Sequence, residues 1–355
     1  MIIKDISCNV VTIPLTSTFK TALRSVDRVD NVLVTVTTQS GPVGYGSAAP
    51  AAVITGETVG SIVAGVNHIR DSLVSMNIED AEAIFQRLNG CIVGSMSAKA
   101  AVDMAVYDLI TQSLGIPLYQ YLGGLVNEVK TDMTISLDSP EKMIENSLAV
   151  KDKGFDILKI KVGGDPELDI DRLQRIQDGV GRNLLLRIDA NQGWTAKQAV
   201  RVAVELERRG LTIELMEQPV VAHDYEGLRY VRDNVSVPVY GDESVFSPRD
   251  ALELVSMKAV DGLNIKLMKC GGIYNALQIA AIAQAAEIPC MIGSMMEGNI
   301  SVTAAAHLAA SRTIITKYDL DAPLFCSTNV AKGGITYDGP LVKFDENPGL
   351  GLNVK

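Results

Sequence analysis

The chain has 355 residues, of which 47% are apolar and 5% aromatic, and it carries a net charge of −10. That length suits one large α/β unit with a smaller partner, and the acidity argues against a nucleic-acid or anionic-membrane surface. No apolar run reaches membrane-spanning length, Met1 to Leu15 lacks the character of a signal peptide, and the five scattered cysteines form no C-x-x-C pair, so a reducing cytoplasm is the expected compartment.

Residues 1 to about 125 read as an α+β unit. Ile3 to Pro14 and Val32 to Thr38 alternate in the manner of strands, with a polar loop, Thr16 to Asp30, between them. Gly41-Pro42 turns the chain into a third strand, and Gly44 to Pro50 opens a small-residue loop. Helical patterns follow at Thr58–Met76, Ile78–Leu88 and Ser97–Leu114, the last with Ser97 as N-cap and Gly115 as its stop.

From about Lys130 the rhythm becomes strand, loop, helix, repeated. The expected strands are Thr131–Ser136, Ile157–Lys161, Leu184–Ile188, Ile213–Glu217, Val237–Gly241, Gly262–Lys266, Pro289–Gly293 and Ile314–Tyr318. Amphipathic segments such as Lys197–Arg209 and Ala276–Ala286 lie between them. Eight strands with helical crossovers predict a barrel, and the lack of a helix after the eighth makes it a (β/α)7β barrel. A doubly wound open sheet is disfavoured by the absence of a Gly-rich loop after the first strand. The Gly- and Pro-rich tail is expected to return to the N-terminal unit. The expected division is therefore an α+β cap at 1–125, completed by 325–355, and a barrel at 126–324.

Barrels gather their chemistry at the C-terminal ends of the strands. Those ends carry, in order, Lys159 and Lys161, Asp189 and Asn191, Glu217, Asp242 with Glu243, Lys266, and Asp319 with Asp321. An isolated Lys-x-Lys would read as a solvated edge strand, but the acids that follow give it another meaning. Asp189, Glu217 and Asp242 come from three adjacent strand ends, without Cys or His, and make a hard oxygen site suited to Mg²⁺. Lys161 and Lys266 belong to the second and sixth strands, which face each other across a closed barrel. Two bases on opposite faces of one carbon can remove a proton from one side and return it to the other. At the α-carbon of a carboxylate this chemistry needs positive charge to hold the enediolate. Two lysines sharing one strand face, when buried, are also expected to lower each other's pKa.

The ordered set K-x-K, Asp-Ala-Asn-Gln, Glu-Gln-Pro, Asp-Glu-Ser and N-x-K-x-x-K-x-G-G resembles the enolase superfamily, with the muconate-lactonising branch as the nearest likeness. The pairing of a lysine base with Mg²⁺ is a known pattern of that superfamily. The likeness extends through Ala101 to Leu109 and Leu122-Gly123-Gly124. It implies that Lys161 and Lys266 are the acid/base pair, that Asp189, Glu217 and Asp242 bind Mg²⁺, and that Lys159 assists the substrate carboxylate and lowers the Lys161 pKa. Asp319-Leu320-Asp321 resembles the dipeptide-epimerase signature, in which two carboxylates receive a substrate ammonium. Side-by-side carboxylates do call for a cation, which an N-acylamino acid lacks.

In the first cap loop, Phe19 to Arg24 resembles epimerases acting on Ala-Glu, with Arg24 meeting the distal carboxylate. In the second, Gly46-Ser47 stands where many relatives have Gly-Glu, which leaves that loop's part open. Asn191, Ser294 and Glu297 complete the expected substrate surround, Glu297 from a more remote position. None of the three histidines, His68, His223 and His307, ends a barrel strand, so a histidine base is not expected. The implied activity is a Mg²⁺-dependent epimerase of L-Ala-L/D-Glu-type dipeptides. N-succinylamino-acid racemase or o-succinylbenzoate synthase activity is the alternative on the same frame. The expected partners are a dipeptide and further copies of the chain, with no nucleic acid and no membrane.

Overall fold

An antiparallel ribbon opens the chain in the computed structural model, which describes residues 1–124 and 126–354. Strands β1 (Ile3–Lys20) and β2 (Ser25–Thr38) pair from Ile3↔Thr38 to Lys20↔Ser25, with a register shift between Pro14 and Phe19. The expected polar loop from Thr16 to Asp30 is therefore two strand arms and a short turn at Thr21–Arg24. Its polar residues flank buried Phe19 and Val29, with Thr16, Ser17 and Thr18 exposed in succession at the register shift, and side-chain bonds such as Thr12 Oγ1 to Asp30 tie the arms together. The third strand, β3 (Val43–Ala48), likewise runs through Gly46-Ser47, so the second expected loop begins only at Ala49. A Cβ on Gly44 or Gly46 would come within 2.1 and 1.9 Å of the Ala105 and Ala101 carbonyl oxygens. Those glycines let the strand press against the helix behind it.

Helix α1 (Val59–Leu73) is closed by a Thr58/Ser61 capping box. It is followed by α2 (Ala81–Gly90) and α3 (Met96–Leu114). Helix α3 does not start at an Ser97 cap. Ser95 holds the cap position in a left-handed conformation, while the Ser97 N–H and hydroxyl both donate to Glu57, at 2.9 and 2.6 Å. A carboxylate from an earlier loop supplies what a local cap would have supplied. Gly115 ends α3 at φ 69°, as expected. The short α4 (Leu118–Tyr121) and β4 (Glu128–Lys130) lead into the barrel. The boundary expected at residue 125 lies outside the described residues.

The barrel strands are β5 (Met133–Ile135), β6 (Ile157–Lys161), β7 (Leu185–Asp189), β8 (Ile213–Glu217), β9 (Val239–Gly241), β10 (Gly262–Ile265), β11 (Cys290–Gly293) and β12 (Ile315–Asp319). They pair in parallel in sequence order, and the Asp132 N–H donates to the Tyr318 carbonyl across the seam at 3.1 Å. Crossovers are made by α5 (Pro140–Asp152), α6 (Pro166–Val180), α7 (Ala196–Arg208), α8 (Tyr225–Asn234), α9 (Pro248–Met257), α10 (Leu267–Cys270) with α11 (Ile273–Ala285), and α12 (Asn299–Ala309). Only the four-residue α13 (Ala322–Phe325) follows β12, which gives the (β/α)7β form. The tail carries β13 (Lys332–Gly333), β14 (Ile335–Asp338), β15 (Leu341–Phe344) and β16 (Leu352–Asn353). It returns to the cap through Ser327 N–H to the Pro14 carbonyl at 2.9 Å and Leu350 N–H to Asp108 at 2.8 Å. Among the described residues, no helix is long and apolar enough to cross a membrane.

His307 shows how tightly this joint is packed. Its buried ring packs against the stacked rings of Tyr119 and Phe344, Nδ1 accepts the Tyr119 N–H at 3.0 Å, and Nε2 has no partner among the described residues. Burial pushes its pKa down to about 3. A proton on Nδ1 would face another donor, so the cation is strongly disfavoured. Because the folded value lies below the unfolded one of about 6.5, its stabilisation is full above pH 6.5 and is lost as pH falls toward 3. Urea denaturation should show the wild type losing on the order of 4 kcal/mol over that range relative to His307→Asn, which keeps an acceptor but does not titrate there.

Candidate active site

Strand register builds the site. Lys161, Asp189 and Glu217 are the last residues of β6, β7 and β8 and stand level with one another, Lys161↔Asp189 and Asp189↔Glu217. Asp242 follows β9 directly, and Lys266 follows β10. All are buried. One ligand oxygen from each of Asp189, Glu217 and Asp242 can be chosen so that all lie within 4.8 Å of one another.

No charge in this group is left bare. Lys161 donates to Asp189 Oδ2 at 2.6 Å, and Lys266 to Asp242 Oδ2 at 2.7 Å. Lys159 sits one layer deeper, 2.7 Å from Asp319 Oδ2, 2.8 Å from Glu217 Oε2 and 3.2 Å from Asp189 Oδ2. Burial alone would push Lys159 down, but the Asp319, Glu217 and Asp189 charges override it and hold the ammonium well above the ordinary lysine value. Lys266 is raised in the same way, burial being outweighed chiefly by Asp242. The expected mutual lowering of lysine pKa values is thus overturned at Lys159, because carboxylates rather than ammonium groups are its nearest neighbours. Burial acts against Asp189, yet Lys161 and Lys159 bring it down to about 2. Glu217 goes the other way, up to about 8, through burial and the Asp189 charge.

The second acidic pair lies opposite. Asp321 Oδ2 accepts the Thr134 N–H at 2.6 Å, while Asp319 binds Lys159. The turn between them is clamped from two sides. The Leu320 N–H donates to Thr131 Oγ1 at 2.9 Å, and the Tyr337 hydroxyl, from β14, donates to the Leu320 carbonyl at 2.6 Å. Burial and the Asp319 charge push Asp321 up to about 7.

Arg24, Lys161, Asn191, Lys266, Ser294, Asp319 and Asp321 meet in the lining of one narrow cleft, and Asp189, Glu217 and Asp242 lie outside that lining. Arg24 enters it from the hairpin turn, where the Arg24 carbonyl accepts the Thr21 N–H at 2.9 Å. Burial lowers its pKa, and among the described residues no carboxylate lies within salt-bridge distance of its guanidinium. Two expected substrate contacts are placed elsewhere. Lys159 is enclosed by carboxylates beneath the cleft, and Glu297 turns back to accept the Met295 N–H at 2.7 Å, outside the cleft lining.

Several supporting residues carry weaker signals in the sequence. Asp132, just before β5, clusters with Asp319 and Asp321 and pairs with Arg187 at 2.8 Å. Gln218, inside Glu-Gln-Pro, accepts the Asp242 N–H at 2.8 Å and fixes that loop. Asn264 donates to Glu217 Oε1 at 2.8 Å. Lys269 is fully buried against Asp242 Oδ1 at 2.5 Å, and it also donates to the Asp242 carbonyl and, at 3.0 Å, to that of Asn264. Its repeat spacing in N-x-K-x-x-K was the available clue.

Known proteins share this frame. The N-terminal domain pattern of the mandelate racemase / muconate lactonizing enzyme family matches residues 5–123, and an enolase C-terminal domain-like pattern matches residues 142–355. The chain belongs to the enolase superfamily. It is 52% identical over 353 residues to the L-Ala-D/L-Glu epimerase of Clostridium acetobutylicum, covering 99% of both chains. The substrate-liganded L-Ala-D/L-Glu epimerase of Bacillus subtilis superposes with a TM-score of 0.98 at 46% identity, with 99% of each chain covered. A dipeptide epimerase of Enterococcus faecalis, complexed with Mg and L-Leu-L-Tyr, gives 0.96 at 42% identity over 99% of this chain and 100% of that one.

In this superfamily member the buried ions are costly to leave without a partner. Lys269→Met leaves Asp242 short of one of its two ammonium partners, and breaking a buried pair in this way should cost about 3–5 kcal/mol in urea denaturation at pH 7. An exposed control such as Lys343→Met, opposite Asp338, should stay within about 1 kcal/mol.

Proposed function

We propose that this chain is a Mg²⁺-dependent dipeptide epimerase, inverting the α-carbon of the C-terminal residue in L-Ala-L-Glu and L-Ala-D-Glu type dipeptides. The observation that carries this reading is one cleft in which Lys161 and Lys266, from the second and sixth of eight strands, share the lining with Asp319 and Asp321. The relatives named above as dipeptide epimerases support it. In this reading residues 1–125 with 325–355 form the cap that selects the side chain, and 126–324 form the catalytic barrel.

Asp189, Glu217 and Asp242 would hold the ion. The donor set fits: three buried carboxylates from adjacent strand ends, hard oxygens without sulfur or imidazole. When bound, the ion supplies the positive charge that makes the proton next to a carboxylate acidic enough to move. The chain's own residues do the rest. One of Lys161 and Lys266 enters neutral and accepts the α-proton at Nζ, while the other enters as ammonium and delivers its proton to the opposite face. One proton leaves and one arrives, so the two lysines exchange protonation states and the reverse direction uses the same groups. Lys159, held as a fixed cation, takes no part in the transfer and favours the ionised forms of Asp189 and Asp319. Asp319 and Asp321 receive the substrate ammonium, whose charge also favours the ionised form of Asp321. Arg24 offers an unpaired, desolvated fork to a distal carboxylate. Asn191 and Ser294 line the remaining wall. The five free cysteines and the net charge of −10 suit a reducing cytoplasm, and we take the protein to act there as a homo-oligomer.

The test is ¹H NMR in D₂O with Mg²⁺, following loss of the C-terminal α-proton across a dipeptide panel. L-Ala-L-Glu should exchange and epimerise, chelation should stop it, and added Mg²⁺ should restore it. Arg24→Met should raise KM for Glu-terminated dipeptides by about 10–100-fold, the worth of a charged hydrogen-bonded contact, with a much smaller change for Leu-terminated ones. Exchange confined to N-succinylamino acids would overturn the dipeptide reading in favour of racemase activity on the same frame.

A further inference from the structure

Gly293 ends β11, the strand beside β10, where Ile265↔Ile292 is the last register pair. Its φ lies outside the left-handed region, so the backbone does not require glycine there. What the position lacks is a side chain, and the space is already taken. A Cβ at 293 would stand 2.8 Å from Asn264 Oδ1, 2.9 Å from Lys266 Cε and 3.1 Å from Asn264 Nδ2. Contacts this short force a neighbour to move. The two neighbours are not equally free. Asn264 has a short side chain whose Nδ2 is tied to Glu217 at 2.8 Å, and its main-chain carbonyl is fixed by Lys269. Lys266 is a flexible chain anchored by one ion pair to Asp242.

We infer that Gly293 is a positioning residue for Lys266: the missing side chain is the channel through which the lysine stem reaches the cleft. Filling that channel displaces Nζ while leaving the opposite face, Lys161 on Asp189, where it is. This rests on the two-lysine reading above.

The experiment compares solvent deuterium exchange at the α-carbon of L-Ala-L-Glu and L-Ala-D-Glu in Lys161→Ala, Lys266→Ala and Gly293→Ala. Exchange without inversion needs one base only, so each lysine variant should silence one enantiomer. Gly293→Ala should follow Lys266→Ala, losing about 100-fold for that enantiomer, the typical cost of a misplacement near 1 Å, with the other reduced by less than about threefold. Equal loss for both enantiomers, or no loss, overturns the assignment of Gly293. If neither lysine variant separates the enantiomers, the two-lysine reading fails and the assignment falls with it. Stability gives an independent readout. Gly293→Ala should destabilise the wild type more than it destabilises Lys266→Ala, where the stem is gone. Should Gly293→Ala alone not fold, folding of the double variant supports the clash with Lys266, and failure of both, or equal destabilisation in the two backgrounds, overturns it.

Discussion

The structure depends on keeping a dense set of buried charges paired at the mouth of the barrel. Lys159, Lys161, Lys266 and Lys269 face Asp189, Glu217, Asp242 and Asp319, all nearly inaccessible to water. An unpaired ion at such depth costs several kcal/mol, so each ammonium must have its carboxylate and the strands that carry them must stay in register. Slippage of β7 by one residue would turn Asp189 into the helical layer and leave Lys161 without a partner. The apolar barrel explains why there is a sheet, and the ion pairs explain why its register admits no alternative.

The cap answers a different requirement. A cleft lined with two lysines and two aspartates binds charge but does not distinguish one dipeptide from another. In the proposed reading that discrimination comes from Arg24, which the β1–β2 ribbon carries to the cleft at its turn. The ribbon is fastened to the barrel rim by Lys20, whose backbone N–H donates to Ser136 Oγ at 2.7 Å and whose ammonium reaches Asp138 at 2.9 Å. The ion pair is half-exposed and contributes little by itself. Together with the backbone contact it sets where the turn stands.

Much of this was legible in the sequence because strand ends and chemistry coincide in a parallel barrel. Each of the eight expected segments overlaps an observed strand, and two, Ile157–Lys161 and Ile213–Glu217, match at both ends, while Leu184–Ile188 and Ile314–Tyr318 stop one residue short of Asp189 and Asp319. Buried parallel strands read as apolar runs, so a polar residue that ends one stands out in the sequence. The cap was less legible for the converse reason. Along the ribbon, outward residues such as Ser25 and Arg28 are as polar as any loop, and only pairing with the other strand distinguishes the two. Glu57 capping α3 was illegible, since a cap supplied from 40 residues away leaves no local pattern.

The motif Lys159-Ile160-Lys161 shows where sequence reasoning stops. Residues two apart on a strand share a face, and that symmetry suggests two equivalent ammonium groups repelling one another. In a barrel the shared face is the interior, and two residues along the strand means about 7 Å in depth. The deeper lysine lies where side chains from several strands converge, so Lys159 meets acids from β7, β8 and β12 and becomes a fixed charge. The shallower one lies at the rim, where the strands diverge, and Lys161 keeps one partner and faces the cleft. Depth, which alternation does not encode, separates the lysine enclosed by acids from the lysine that faces the cleft.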